Sequence, residues 1–278
     1  MKYLQEVWGS RELLLNLTSR EVRGKYKRTI FGQLWSLANP LALMLIYSLV
    51  FGVLFKSNPL PGDPSGLDVF ALWLLCGLLP WTFFSAVVST AASSLVGNAN
   101  LIQKVSFSRI VLPLSTVGSS AYNWGFEMVV LLVAVSIAGG FVLPWIPLLI
   151  VAMILLAIFA AGVGLIFSIA NVYFRDTQYL LGIVLQLWIY LTPIIYPIQL
   201  VEAASHTHGG LLGTPVTILG LYDLNPMVHF VALFRELIYD NRWPDGVEWL
   251  ICLCWALGAL VIGMIVFRKN EPNLAEAL

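Results

Sequence analysis

The stretch REVRGKYKRTIFGQLW, Arg20 to Trp35, sets five cations (Arg20, Arg23, Lys25, Lys27 and Arg28) directly before an apolar run that continues SLANPLALMLIYSLVFGVLF. A soluble protein scatters such charge over its surface. A chain that crosses a membrane has an orienting use for it, because cytoplasmic flanks of spans collect Lys and Arg. A second use, receiving an anionic substrate, depends on what the rest of the chain contains.

Composition settles the broad class. Hydrophobic residues make up 59% of the 278 positions and charged ones 11%, and the mean hydropathy is +0.86, which leaves too little polar surface to wrap a soluble globule. The chain reads as an all-α integral membrane protein. Its formal net charge is zero, so any bias toward headgroups or partners comes from where the charges sit. The first 29 residues carry seven basic and three acidic side chains and no short apolar core, unlike a signal peptide. Cys76 lies in an apolar run, and Cys252 and Cys254 would project about 200° apart on a helix. Neither a disulfide framework nor a metal site is expected.

A helix needs about 20 mainly apolar residues to cross the hydrocarbon. Six runs meet this, at 30–55, 69–91, 111–138, 148–170, 178–197 and 248–267. Both termini then share one side, which holds twelve of the fifteen basic residues and six acids. Lys56, Arg235, Arg242 and eight acids fall on the other side. The Lys and Arg bias makes the first side cytoplasmic. One domain covers 1–278, divided into an interfacial segment (1–29), five spans (30–197), an external segment (198–247), a last span (248–267) and a cytoplasmic tail (268–278).

Within 1–29, apolar Leu4, Val7, Trp8, Leu14 and Leu17 alternate with charges, suiting a helix on the cytoplasmic membrane face. The external loop SNPLPGDPSG reads as irregular. In 198–247 the pieces LLGTPVTILGL and PMVHFVALFRELIY are too short or too polar to span and read as external or re-entrant helices.

No stretch matches the phosphate-cradling GxxxxGK[ST] loop, so ATP binding is not expected in this chain. His206, His208 and His229 read as ordinary loop histidines. Glu127 is the one acid well inside a span, with Asn123 a turn before it. A proton relay and a carboxyl held by hydrogen bonds inside the bundle both account for it. Tyr47, Phe51 and Phe55 share one face of the first span by i, i+4, i+8 spacing, and Trp188, Thr192 and Tyr196 share one face of the fifth. These faces suit lipid or an interfacial belt, or a path on which flat rings stack against sugars. Small residues in the fourth span (Ala157, Ala161, Ala160, Gly164) permit close helix contact. TPIIYP, with Pro193 and Pro197, marks a kink or break near the end of the fifth.

Four stretches carry a resemblance: REVRGKYKRTIFGQLWSLANP (20–40), NANLIQKVSFSRIVLP (98–113), NVYFRDTQYLLGIVLQLWIYLTPIIYP (171–197) and LNPMVHFVALFREL (224–237). In order and spacing they resemble the permease subunits of ABC exporters of surface polysaccharides, O-antigens and teichoic acids. The resemblance implies a homodimer of six-span subunits in a bacterial plasma membrane, two separate ABC ATPase subunits that bind ATP and Mg, and a tunnel between protomers lined by the aromatic faces of spans one and five. It places a coupling helix at 98–109, with Leu101, Lys104, Phe107 and Arg109 as ATPase contacts. Phe107-Ser108-Arg109 stands where the family often has Phe-Pro-Arg, and Arg175 with Asp176 matches a structural ion pair. The cargo would be a lipid-linked polysaccharide or polyol-phosphate polymer, its pyrophosphate met by Arg20, Arg23, Lys25, Lys27 and Arg28. No catalytic residue, resident cofactor, metal or nucleic-acid partner is expected. The rivals are a proton-coupled secondary transporter using Glu127 and a membrane glycosyltransferase.

Overall fold

The computed structural model describes residues 9–25, 27, 29–54, 61–105, 107–208 and 217–278, with the side chains of 51, 52 and 206–208 outside the description. Arg28, Phe55, the Phe51 ring and the His206 and His208 side chains therefore lie outside the described residues. Every regular element among those described is helical, as hydrocarbon demands of backbone that must satisfy its own hydrogen bonds.

In chain order the elements are α1 (Arg11–Lys25), α2 (Trp35–Tyr47, prolonged by π-helical Ser48–Leu54), α3 (Phe70–Gly97), α4 (Ala99–Lys104), α5 (Val111–Ile137), α6 (Ile146–Tyr173), α7 (Thr177–Trp188), α8 (Ile198–His208), α9 (Ile218–Asp223), α10 (Pro226–Arg235, prolonged by Glu236–Asp240), α11 (Gly246–Asn270) and α12 (Leu274–Ala277). Five segments are long and apolar enough to cross a membrane: Gly32–Val50, Phe70–Gly97, Val111–Ile137, Leu143–Tyr173 and Gly246–Ala277.

The expected continuous helix over 178–197 is not among them. α7 ends at Trp188 and a series of turns follows. Pro193 has no N–H for an i→i−4 bond and pushes the residue before it out of helical geometry.

α3 is the hub, with Leu74, Leu78, Phe84, Val87 and Val88 fully buried. Phe83 stacks on Trp124 of α5, ring centroids 4.1 Å apart, and Phe84 on Phe159 of α6 at 5.3 Å. Asn171 Nδ2 donates to the Ala92 carbonyl at 2.9 Å, joining α6 to α3. α6 and α11 meet backbone to backbone: a Cβ on Gly162 would fall on Ala259 and Leu260, and one on Gly263 on the Gly162 carbonyl. α10 is sunk into the bundle, with Met227, Phe230, Val231, Leu233 and Phe234 fully buried. It is thus a core helix of the bundle rather than an external one. α2 is the opposite case, since almost none of the first span is buried within its own chain.

A second apolar cluster closes the basic end of the bundle. It joins Leu17 of α1, Ile102 of α4, Val111 and Leu112 of α5, Ile169 of α6, Phe267 of α11 and Leu274 of α12. α1 packs along α5, with Thr18 against Gly118, and only its Leu17 is buried.

Candidate functional site

The faces of α1 divide its cations. Leu13, Leu14 and Leu17 turn into the basic-end cluster. On the same side Glu21 accepts hydrogen bonds from the Ser115 hydroxyl at 2.8 Å and the Ser119 hydroxyl at 2.7 Å. Asn16, Ser19, Arg20, Arg23, Gly24 and Lys27 line an open groove on the other side. That spacing is one helical face, so three of the expected headgroup cations stand together with hydroxyl and amide donors. Lys25 points elsewhere.

Lys25 joins Thr29, Trp35, Ser36, Asn39, Ser120, Asn123 and Glu127 around a cavity of about 510 Å³ between α1, α2, α3 and α5. Glu127 is thus in a polar crevice facing Lys25 and Ser36, with Asn123 on the same cavity wall, its Nδ2 donating to the Ser119 carbonyl at 3.2 Å.

The segment 98–109, expected to couple to an ATPase, is fixed at both ends. At its start Arg20 Nη2 donates to Asn98 Oδ1 at 3.2 Å. At its end the Arg109 backbone N–H donates to Glu271 Oε1 at 2.9 Å and the guanidinium donates to the Glu271 carbonyl. Arg109 is therefore committed to the tail of its own chain. Leu101 and Phe107 also pack against the basic-end cluster. Of the four expected ATPase contacts only Lys104 is exposed, and Asn100, Gln103 and Val105 share its exposure. The buried Ile102 decides which side of this short helix is free.

The two expected aromatic faces part company where α7 stops. Tyr47 is half-buried and faces Tyr190. Trp188 turns inward onto Trp81 and Phe84, and its Nε1 donates to Asn225 Oδ1 at 2.8 Å. Thr192 is fully buried and accepts from Asn225 Nδ2 at 3.0 Å. Thr192 thus leaves the face that i+4 spacing assigns it, because that spacing has no meaning beyond the helix end, whereas Trp188 is half-buried and lines an open apolar cavity with Phe159, Pro226 and Trp255. Tyr196 donates to the Tyr190 carbonyl or shares a proton with the Tyr222 hydroxyl, both at 2.7 Å. Tyr190, overlooked in the sequence, is exposed between Tyr47 and Tyr196.

At the acidic end Asp63, Glu202, Asp223, Glu236, Asp240 and Glu248 surround a cavity of about 570 Å³ with Arg235, Arg242 and His229. The Arg235 guanidinium donates to the Pro193 carbonyl at 2.6 Å and the Ile194 carbonyl at 2.8 Å, and lies 3.7 Å over the Trp73 ring. It caps the carbonyls that the break after α7 leaves open. His229 is not a loop residue: it is buried in α10, with Nε2 at 2.9 Å from the Asp223 carbonyl and Nδ1 at 2.8 Å from Glu248 Oε2. A carbonyl only accepts, and so does an ionised carboxylate, so this contact suits the imidazolium. The hydrogen bond to Glu248 is the main reason that the His229 pKa is raised above its ordinary value.

The sequence profile of the ABC-2 type transporter family matches residues 12–208, well over half of the chain. The chain belongs to that family. The O-antigen export system permease protein RfbA of Myxococcus xanthus is 28% identical over 279 residues, covering 100% of both chains. A protein of the same name from Klebsiella pneumoniae is 27% identical over 273 residues, 96% of this chain and 95% of its own. The polysialic acid transport protein KpsM of Escherichia coli is 26% identical over 261 residues, 92% of each.

One expected feature of this ABC-2 transporter is not formed. Arg175 and Asp176 are both exposed at the turn before α7, and none of the ion pairs among the described residues joins them. As neighbours on a turn facing outward, each is solvated more readily than paired. Asn98, Asn225 and Glu271, none of them singled out in the sequence, hold the elements that matter. Of these Asn225 was legible, since Asn before Pro at the first helical position is a helix-start signal, and its side chain does accept from the Met227 N–H at 3.0 Å.

Proposed function

We propose that this chain is the membrane subunit of an ATP-driven exporter that moves a lipid-linked polysaccharide from the cytoplasmic to the outer face of a bacterial plasma membrane. One observation carries the reading: end-to-end likeness to two kinds of transport protein, one named for O-antigen and one for polysialic acid, in a chain whose basic groove opens beside its first span. Both cargoes are glycans, which favours a polysaccharide over a polyol-phosphate polymer.

In this reading the basic end is cytoplasmic, as the Lys and Arg bias requires. α7 and the turns after it form a sixth crossing, and both termini stay inside. Two copies pair through spans one and five, and two copies of an ABC ATPase, which carry ATP and Mg, dock on the exposed side of α4. The chain itself makes and breaks no covalent bond. Arg23 and Lys27 receive the pyrophosphate of the lipid-linked cargo through charge-assisted hydrogen bonds, and the Tyr47, Tyr190 and Tyr196 rings offer flat faces to the sugars.

The reading is tested by purifying the tagged chain from its native membrane and identifying its companions by mass spectrometry. A stoichiometric ABC ATPase is expected; a well-folded chain that is repeatedly alone would remove the motor. Changing Arg23 and Lys27 together to Gln should slow export by at least about tenfold, since each charged hydrogen bond is worth about 1.5–3 kcal/mol. Insertion should be normal, because Arg20, Lys25 and Arg28 still orient the first span. Normal export in that variant would take the receiving role from the groove.

Glu127 tests the proton-coupled rival. Glu127→Gln should leave ATP-driven export intact. Export that survives without any ATPase but fails in this variant, and on collapse of the proton gradient, would reverse the assignment. Glycosyl transfer by the purified chain alone would revive the enzymatic rival.

A further inference from the structure

Arg20 stands apart from the other cations of the groove because its guanidinium already has an address. It donates to Asn98 Oδ1 at 3.2 Å, and Asn98 is the residue at which α3 ends and α4 begins. Asn98 is held in turn by its own Nδ2, which donates to the Ser94 carbonyl at 2.8 Å. Its side chain caps nothing in α4, so its carbonyl oxygen is at the disposal of Arg20. One position further on, Glu21 takes two serine hydroxyls from α5. Leu17, a turn before, shares a buried cluster with Ile102 of α4. α1 therefore touches the coupling segment by a polar contact outside and an apolar one inside, while Arg23 projects from its free face and Lys27 follows just beyond its end.

We infer that Arg20 is a positioning residue which ties the basic helix to the coupling segment, so that a displacement of α4 by the ATPase carries the groove with it. The inference rests on the proposed docking of an ATPase at α4. It removes Arg20 from the set that receives the cargo and makes it the link between the motor and that set. A single exposed contact of this kind contributes little to folding, so cutting it should uncouple the machine without unfolding it.

The deciding variant is Asn98→Ala, which changes no charge. If Arg20 acts on the cargo by its charge, this variant is silent. If Arg20 is a link, Asn98→Ala behaves like Arg20→Ala. Each should lower export of the host's own surface glycan, read by periodate–hydrazide labelling, by about fivefold, the lower end of coupling between linked sites. Copurified ATPase and ATP hydrolysis by the purified complex should stay near the parent level, so that glycan exported per ATP falls. The double variant should be no worse than either single one, as for two halves of one contact.

Rescue gives a readout that a purely structural role would not move. Arg20 reaches Asn98 with the length of its side chain, farther than a disulfide bridges, so a short bismaleimide is the link for an Arg20→Cys, Asn98→Cys pair. The pair should export poorly until cross-linked and then recover. Normal export by Asn98→Ala beside defective Arg20→Ala overturns the inference, as does a cross-linked pair that stays inactive. A photoreactive group at Lys104 keeps the two readings separable. Labelling of the ATPase with a silent Asn98→Ala sinks the link alone, and no labelling sinks the docking reading and the link together.

Discussion

Arg235→Ala is expected to lower the stability of the protein by about 3–5 kcal/mol, because two charge-assisted hydrogen bonds at about 1.5–3 kcal/mol each disappear and their acceptors have no replacement. Those acceptors are the Pro193 and Ile194 carbonyls, where the chain has left α7 and no helical N–H follows. The stacking over Trp73 is lost with them. Ile194 is fully buried, so water does not readily take over. Arg235→Lys should recover about half of the loss, since an ammonium supplies charge but not the planar fork that meets two carbonyls at once. Fluorescence-detected size exclusion after heating would measure both. An unchanged midpoint for the alanine variant would mean that the break is held by other contacts, with Asn225 on Thr192 and Leu191 as the first to examine.

Gly162→Val should be as severe, by a different route. The α6 and α11 backbones touch at Gly162 and Gly263, and any side chain at either position lands on main-chain atoms that cannot rotate away. Where flexible side chains absorb the strain, overpacking costs about 1–3 kcal/mol; here two helices must separate along a shared seam, and the loss should exceed about 3 kcal/mol. Gly258, which precedes Gly263 on the same helix, has nothing within 4 Å of its would-be Cβ. Gly258→Ala should raise stability by up to about 1 kcal/mol through helix propensity alone. A folded yield of Gly162→Val equal to that of Gly258→Ala would rule out a tight α6–α11 seam.

The membrane class and the five long spans were legible because hydrocarbon imposes one length and one polarity on whatever crosses it. The positions of the cations on α1 were equally legible, but their division of labour was not. Sequence shows five neighbouring positive charges; the helical faces send Lys25 to the Glu127 crevice, Arg20 to Asn98, and Arg23 and Lys27 to the open groove. Small residues of the fourth span announced close packing, yet Gly162 was not among those chosen, since a pattern of alanines does not say which side a partner lies on. Periodicity loses its meaning after Trp188, because the helix ends before Pro193 and Thr192 is buried against Asn225 instead of continuing the face of Trp188. Long-range partners such as Arg109 with Glu271, 162 positions apart, leave no local trace at all.

The nearly bare first span also fixes an order of events. Synthesis runs from the N-terminus, so α2 is made before every later span, with only α1 and its cations ahead of it. Its chain later supplies a hub, a seam and a buried core helix, and almost none of them covers it. The earliest helix to be inserted is thereby the one its own chain covers least, and on the proposed pairing its permanent neighbours arrive only when two subunits meet in the lipid, not when the chain that carries it folds.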